Sequence, residues 1–251
     1  DSVMVVCKKE TGLASVVGPT SKIIRGLNLI RPSLDQLALK MFSNQSPQLF
    51  SPSIVPGMNL AKLILELKPD LLHLHWITGG MMRVEEIQKI KIPICWSLHD
   101  MWAFTGGCHY TGSCVKFKSG CNMCPALESD TKKDLSFRNQ KRKIKSYSNK
   151  KNITVIGLSK WMASEAKESR IFSNSVVVNL PNPIDTNTFC PVNKNEARTL
   201  LGIPKDKKLI LFGAMSATQD RRKGWHELRD ALNNLSDSSA ELLIFGGSMS
   251  D

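Results

Sequence analysis

The stretch IPICWSLHDMWAFTGGCHYTGSCVKFKSGCNMCPAL, residues 92–127, decides the fold. It begins as an apolar run of strand length and passes through His99-Asp100-Met101-Trp102 into a glycine-containing loop that holds Cys108, Cys114, Cys121 and Cys124. A short continuous apolar run reads as a strand buried on both faces, the kind that builds parallel sheets. In open α/β sheets ligands bind at the carboxyl ends of strands, so an ionisable His-Asp step at that end is where chemistry is expected.

Outward from this stretch, apolar runs alternate with helix-like segments. Strands are expected at 3–7, 70–76, 92–98, 152–158, 175–180, 208–213 and 240–245, with helices at 59–67, 84–90, 160–169 and 224–235. Such alternation gives a parallel sheet covered by helices on both faces, an α/β fold. Residues 180–208 carry Pro181, Pro183, Pro191 and Pro204 and break the pattern, which marks the crossing between two α/β units, 1–182 and 183–251. No glycine-rich turn precedes the first strand, and the second unit holds little more than a strand, a helix and a strand. A chain truncated at both ends is therefore expected.

With 251 residues there is material for one large core or two smaller ones, and 41% apolar with 22% charged residues fits a globular protein. No run approaches the roughly 18 apolar residues of a membrane-spanning helix. The first residues lack a signal-peptide pattern, so a cytoplasmic location is expected. The formal net charge of +12 points to an anionic partner. Lys132, Lys133, Arg138, Lys141, Arg142, Lys143, Lys145, Lys150 and Lys151 crowd one helical segment, read either as a solvated face or as a contact with an anionic membrane surface. A nucleic-acid partner is not expected. Only Phe137 and Tyr147 interrupt the basic segment, and no nucleic-acid fold signature accompanies it.

The succession LLHLHWITGG (71–80), PICWSLHDMWAFTGGCHY (93–110), CNMCPAL (121–127), IGLSKWMA (156–163), LPNPIDTNTFCP (180–191), ARTLLGIP (197–204) and RRKGWHEL (221–228) resembles family 4 glycosyltransferases of the GT-B fold. The subgroup it is similar to makes colanic acid and other exopolysaccharides. The resemblance covers nearly the whole chain with its motifs in order. It implies two Rossmann-like domains facing across a cleft and transfer of a sugar from a nucleotide-sugar, with retention, to a glycan or lipid-linked acceptor. It implies no catalytic metal and a place at the inner face of the plasma membrane.

Residue by residue, the resemblance puts His99 against the donor sugar. A neutral imidazole at a strand end can hold developing charge without becoming a nucleophile. Asp100 is expected to orient that ring or to contact the acceptor. By the two-residue period of a strand, His73 and His75 point to one face, and Leu72, Leu74 and Trp76 to the other. His73, His75 and Trp76 are assigned to the acceptor side. Arg221, Arg222, Lys223 and Gly224 match the basic step that grips the nucleotide diphosphate, where cations and helix amides suit an anionic leaving group. Gly213 is followed by Ala214 where the family usually has arginine, and the family's paired glutamates would lie beyond residue 251, so the chain as given is expected to be inactive. Competing readings are a non-catalytic scaffold for glycans or nucleotide-sugars, and a zinc-bearing nucleic-acid module.

Seven cysteines, four of them within residues 108–124, look like a local site plus isolated core thiols rather than a secreted disulfide framework. Cys108, Cys114, Cys121 and Cys124 read as a structural four-thiolate zinc site, with His109 as a substitute ligand, against two disulfides or free thiols.

Overall fold

The computed structural model describes residues 1–41, 49–235 and 239–246. Two units divide the chain, Asp1–Pro183 and Ile184–Asp251. The first opens with two short parallel strands, β1 (Met4–Val5) and β2 (Val16–Val17), which pair with each other and not with the main sheet. The strand expected at 3–7 is thus a two-residue fragment. Val3 and Met4 are 50% and 60% exposed, so burial does not extend it.

Helix α1 (Lys22–Gln36) follows, which was not among the expected helices; its Ile23, Leu29 and Ile30 face solvent. Its C-terminal turn is anchored instead by Asp35. That buried carboxylate accepts the backbone N–H groups of Ser53 at 2.8 Å, Ile54 at 2.7 Å and Val55 at 3.2 Å.

Next come α2 (Leu60–Leu67), β3 (Leu72–Leu74), α3 (Val84–Lys89) and β4 (Ile94–Leu98). A long excursion holds α4 (Lys116–Ser119) and α5 (Leu135–Lys143), and it is closed by β5 (Ile153–Gly157), α6 (Lys160–Glu168) and β6 (Val176–Asn179). The four strands form one parallel sheet in the order β3-β4-β5-β6. Local chemistry sets the helix starts: Asn59, Asp134 and Ser159 each accept a first-turn N–H with the side chain, a cap that contributes about 1 kcal/mol.

On the sheet's packed side, Trp96 meets Tyr147 and Phe172 edge-on, with ring centres 5.2 and 6.0 Å apart. Tyr147 reaches this position because α5 widens into a π-helical turn over Ile144–Ser148. Its hydroxyl donates to the Ala103 carbonyl.

In the second unit α7 (Lys194–Leu200) precedes β7 (Lys208–Gly213), α8 (Trp225–Asn233) and β8 (Ala240–Phe245), and β7 and β8 pair in parallel. Among the described residues no helix is long and apolar enough to cross a membrane.

Candidate functional site

In the β3–β4 register His73 lies opposite Cys95 and Leu74 opposite Trp96, which brings together the residues that leave the two strands at their carboxyl ends. Three cross-strand contacts step along that edge. His73 Nε2 is 2.9 Å from Ser97 Oγ, His75 Nδ1 is 2.9 Å from His99 Nε2, and the Trp76 indole N–H donates to Asp100 Oδ2 at 3.0 Å. His73, His75 and His99 are exposed, with Leu74 buried behind them. Trp76 departs from the expected alternation. Strand pairing ends at Leu74, and the indole, half exposed, turns to the same edge as the histidines.

Facing ring nitrogens hold one proton between them, so one of His75 and His99 donates and the other accepts. Burial, then the neighbouring His73 and His99, holds the His75 pKa below the usual 6.5, which keeps that ring neutral at pH 7. His99 spends Nε2 on His75, so Nδ1 is the nitrogen it can offer to a ligand.

Asp100 does not orient His99, as had been expected from its adjacency. Its Oδ1 accepts the Trp102 backbone N–H at 2.8 Å, and its Oδ2 accepts from His109 Nδ1 at 2.7 Å as well as from Trp76. Burial works to raise its pKa, but the bonds from His109, Trp102 and Trp76 outweigh it and hold the carboxyl below the ordinary carboxylate value. The other nitrogen of His109, Nε2, is 2.8 Å from Ser51 Oγ.

Ser51, His109 and Asp100 therefore have the connectivity of a hydrolase triad, but Ser51 is 2% and His109 0% exposed, so no substrate reaches them. With both ring nitrogens engaged, the arrangement clamps the segment at 49–53 onto the loop that follows β4. His109 is accordingly no substitute metal ligand.

The basic segment is less uniform than its sequence. Arg142 pairs with Glu85 at 2.7 Å and donates to the carbonyls of Pro52 and Ser53. Lys143 is buried at 1% exposure and donates to the carbonyls of Trp102 and Thr105, with its ammonium 3.6 Å from the centre of the Trp102 ring. Burial pulls its pKa down to about 7. Lys150 donates to the Ile90 carbonyl at 2.8 Å. Exposure remains for Lys132, Lys133, Arg138, Lys141, Lys145 and Lys151.

In the second unit Arg221–Lys223 form a single tight turn capped by Asp220, and Gly224, at φ +80°, leads into α8. A side chain is strained at that φ, and glycine makes the turn free of cost. Arg222 forks onto Asp220, Nε to Oδ1 at 2.9 Å and Nη2 to Oδ2 at 2.6 Å, which holds the Asp220 carboxyl at about 2. Arg221 and Lys223 are exposed beside it.

Cys108, Cys114, Cys121 and Cys124 line one pocket, all as free thiols, with Cys114 half-buried and the other three buried. Among the described residues no group of three or more His, Cys, Asp or Glu side chains stands, as placed, where it could hold a metal ion. The remaining cysteines are not uniformly core residues, since Cys7 and Cys95 are half-buried and Cys190 is exposed.

No family model matches the chain. A stretch of 70 residues is 31% identical to the WcaC protein of Escherichia coli (strain K12), named for colanic acid biosynthesis as a glycosyl transferase; the match covers 24% of this chain and 17% of that protein. The mixed α/β architecture with parallel sheets is compatible with a Rossmann-like glycosyl transferase, and the match supports a relationship to glycosyl transferases at that coarse level.

Proposed function

We propose that this chain is part of a retaining GT-B glycosyltransferase that moves a sugar from a nucleotide-sugar to a glycan or lipid-linked acceptor in surface polysaccharide synthesis. The observation that carries the reading is the exposed His75–His99 pair at the carboxyl edge of a parallel sheet, where α/β enzymes bind their ligands. The partial likeness to a glycosyl transferase supports it.

In this reading His99 Nδ1 contacts a hydroxyl of the donor sugar as positive charge grows on the anomeric carbon, and His75 fixes the ring that does so. The half-exposed indole of Trp76 offers an apolar face to an acceptor sugar. Arg221, Lys223 and the first amides of α8 hold the nucleotide diphosphate and stabilise it as it leaves, which is much of what such a catalyst must do. No catalytic metal is invoked. Location at the cytoplasmic face of an anionic membrane fits a lipid-linked acceptor.

The test is transfer by the complete gene product, supplied in turn with UDP-, GDP- and ADP-sugars and followed by product mass. His99→Ala is expected to lower kcat by on the order of 10²-fold with folding and donor affinity intact, as loss of a transition-state contact does. Full turnover in a folded His99→Ala protein, or no binding of any of the three donor classes, overturns the proposal.

A further inference from the structure

We propose that Cys108, Cys114, Cys121 and Cys124 hold one structural zinc ion as four thiolates. The site stands apart from the histidine edge and does not depend on the glycosyl transfer reading. Four sulphurs meet a tetrahedral zinc's full requirement with no open position for substrate, which is the mark of a structural rather than a catalytic site.

The backbones that carry the ligands are already fixed. Gln140 Oε1 accepts the Cys121 N–H and Asp134 Oδ2 accepts the Cys124 N–H, each at 2.8 Å, and both side chains are buried. Cys108 is held by its antiparallel bridge to Phe50, and its carbonyl accepts the Thr105 hydroxyl at 2.6 Å. Glycine permits the close approach. A Cβ on Gly106 would stand 2.9 Å from the Cys121 Cβ, and one on Gly107, whose φ is +139°, would stand 2.4 Å from the Phe50 ring.

Several groups are aimed at sulphur itself. Backbone N–H groups of Ala126 and Leu127 address Cys124, and that of Gly106 addresses Cys121. Cys108 and Cys124 share a thiol hydrogen bond and no S–S bond, so neither is committed to a disulfide.

There is also a structural need. The segment between β4 and α5 has little regular structure, and the satellite core around it comprises Phe50, Cys108, Cys124, Ala126 and Leu127, flanked by Leu39 and Leu135. The four cysteines line one pocket without standing around a single metal position, so the proposal requires their side chains to turn inward onto the ion as it binds.

The decisive measurement is metal content of the full chain, purified without chelator, by elemental mass spectrometry. One zinc per chain is expected, falling at least tenfold in Cys108→Ser and Cys124→Ser and unchanged in Cys190→Ser. Should the serine variants fail to fold, the unaltered chain loaded with cobalt decides, through the intense sulphur-to-metal absorption and tetrahedral bands that thiolate coordination produces. Three results overturn the proposal: less than a tenth of an equivalent of zinc in both isolated and zinc-reconstituted chain, stoichiometric zinc retained by folded Cys108→Ser and Cys124→Ser, or a cobalt spectrum without sulphur-to-metal absorption.

Discussion

His75 Nδ1 lies 2.9 Å from His99 Nε2, and this single contact sets which nitrogen of His99 is left for a substrate. A protonated His75 can still donate to a neutral His99 Nε2, and only protonation of both rings would put an N–H on each side of the contact and break it. Because the His75 pKa lies below the ordinary 6.5, that ring is neutral at pH 7 and gains its charge only in more acid solution. His75→Ala is expected to lower kcat roughly ten- to a hundredfold, the scale of a misplaced catalytic group, with donor affinity little changed. It should also alter the acid limb of the pH profile of kcat/KM. A profile and turnover identical to the unaltered protein would remove His75 from any positioning role.

Asp100→Asn tests the buried clamp rather than the chemistry. Replacing a carboxylate that accepts from His109, Trp76 and the Trp102 amide should cost about 2 kcal/mol at pH 7. The folded pKa of Asp100 is depressed, so its contribution is fully present above its ordinary 3.8 and is lost as pH falls through the lower folded value. Urea unfolding of the unaltered chain should weaken below about pH 4, with the Asp100 share of that slope absent from the variant. Equal midpoints at pH 7 would show that the clamp contributes nothing.

Lys143→Met should be close to neutral or stabilising at pH 7 in chelator-treated chain, since an apolar side chain of similar reach replaces a buried amine. The lysine's folded pKa of about 7 lies below its ordinary 10.5, so between these values the unfolded chain binds more protons and stability rises with pH. One such group gives at most about 1.4 kcal/mol per pH unit. The variant should lack that part of the rise between pH 7 and pH 8.5 in denaturant titrations. An unchanged slope would mean that the ammonium stays charged throughout.

Anionic lipid should attract the exposed cations of the basic segment, which are Lys132, Lys133, Arg138, Lys141, Lys145 and Lys151. At about 1 kcal/mol each near such a surface, four or five acting together give reversible, salt-sensitive binding. Sedimentation with phosphatidylserine vesicles should be lost when Lys132, Lys133, Arg138, Lys141 and Lys145 become Gln. Arg142 and Lys143 are left in place, because Arg142 is engaged with Glu85 and Lys143 is buried, so neither is offered to a lipid surface. Binding indifferent to salt and to these replacements would leave an ordinary solvated face.

Residues whose neighbours lie close in sequence were the legible ones. The apolar runs at 92–98 and 152–158 became β4 and β5 because a strand buried on both faces must be apolar throughout. The histidine edge was legible for the same reason, since it sits where two such strands end. What sequence could not convey was partnership at long range. Asp100 looked like a companion of His99, its neighbour, yet it belongs to His109, nine residues away, and through it to Ser51. Lys143 looked like one more surface cation, but the π-helical turn after α5 and the carbonyls of Trp102 and Thr105 draw it inward. Helix α1 escaped notice although Ile23, Leu27, Ile30 and Leu34 recur at helical spacing, since Gly26 and Pro32 lie inside it as apparent breaks.

Asp100 serves two clients at once: the surface indole of Trp76 and the interior imidazole of His109. Any substitution there that retunes the outer edge for a different ligand also loosens the inner clamp, so the two properties cannot drift independently. Change in ligand preference is channelled instead to Trp76 and the histidines beyond it, leaving the carboxylate as the hinge on which divergence of this edge must turn.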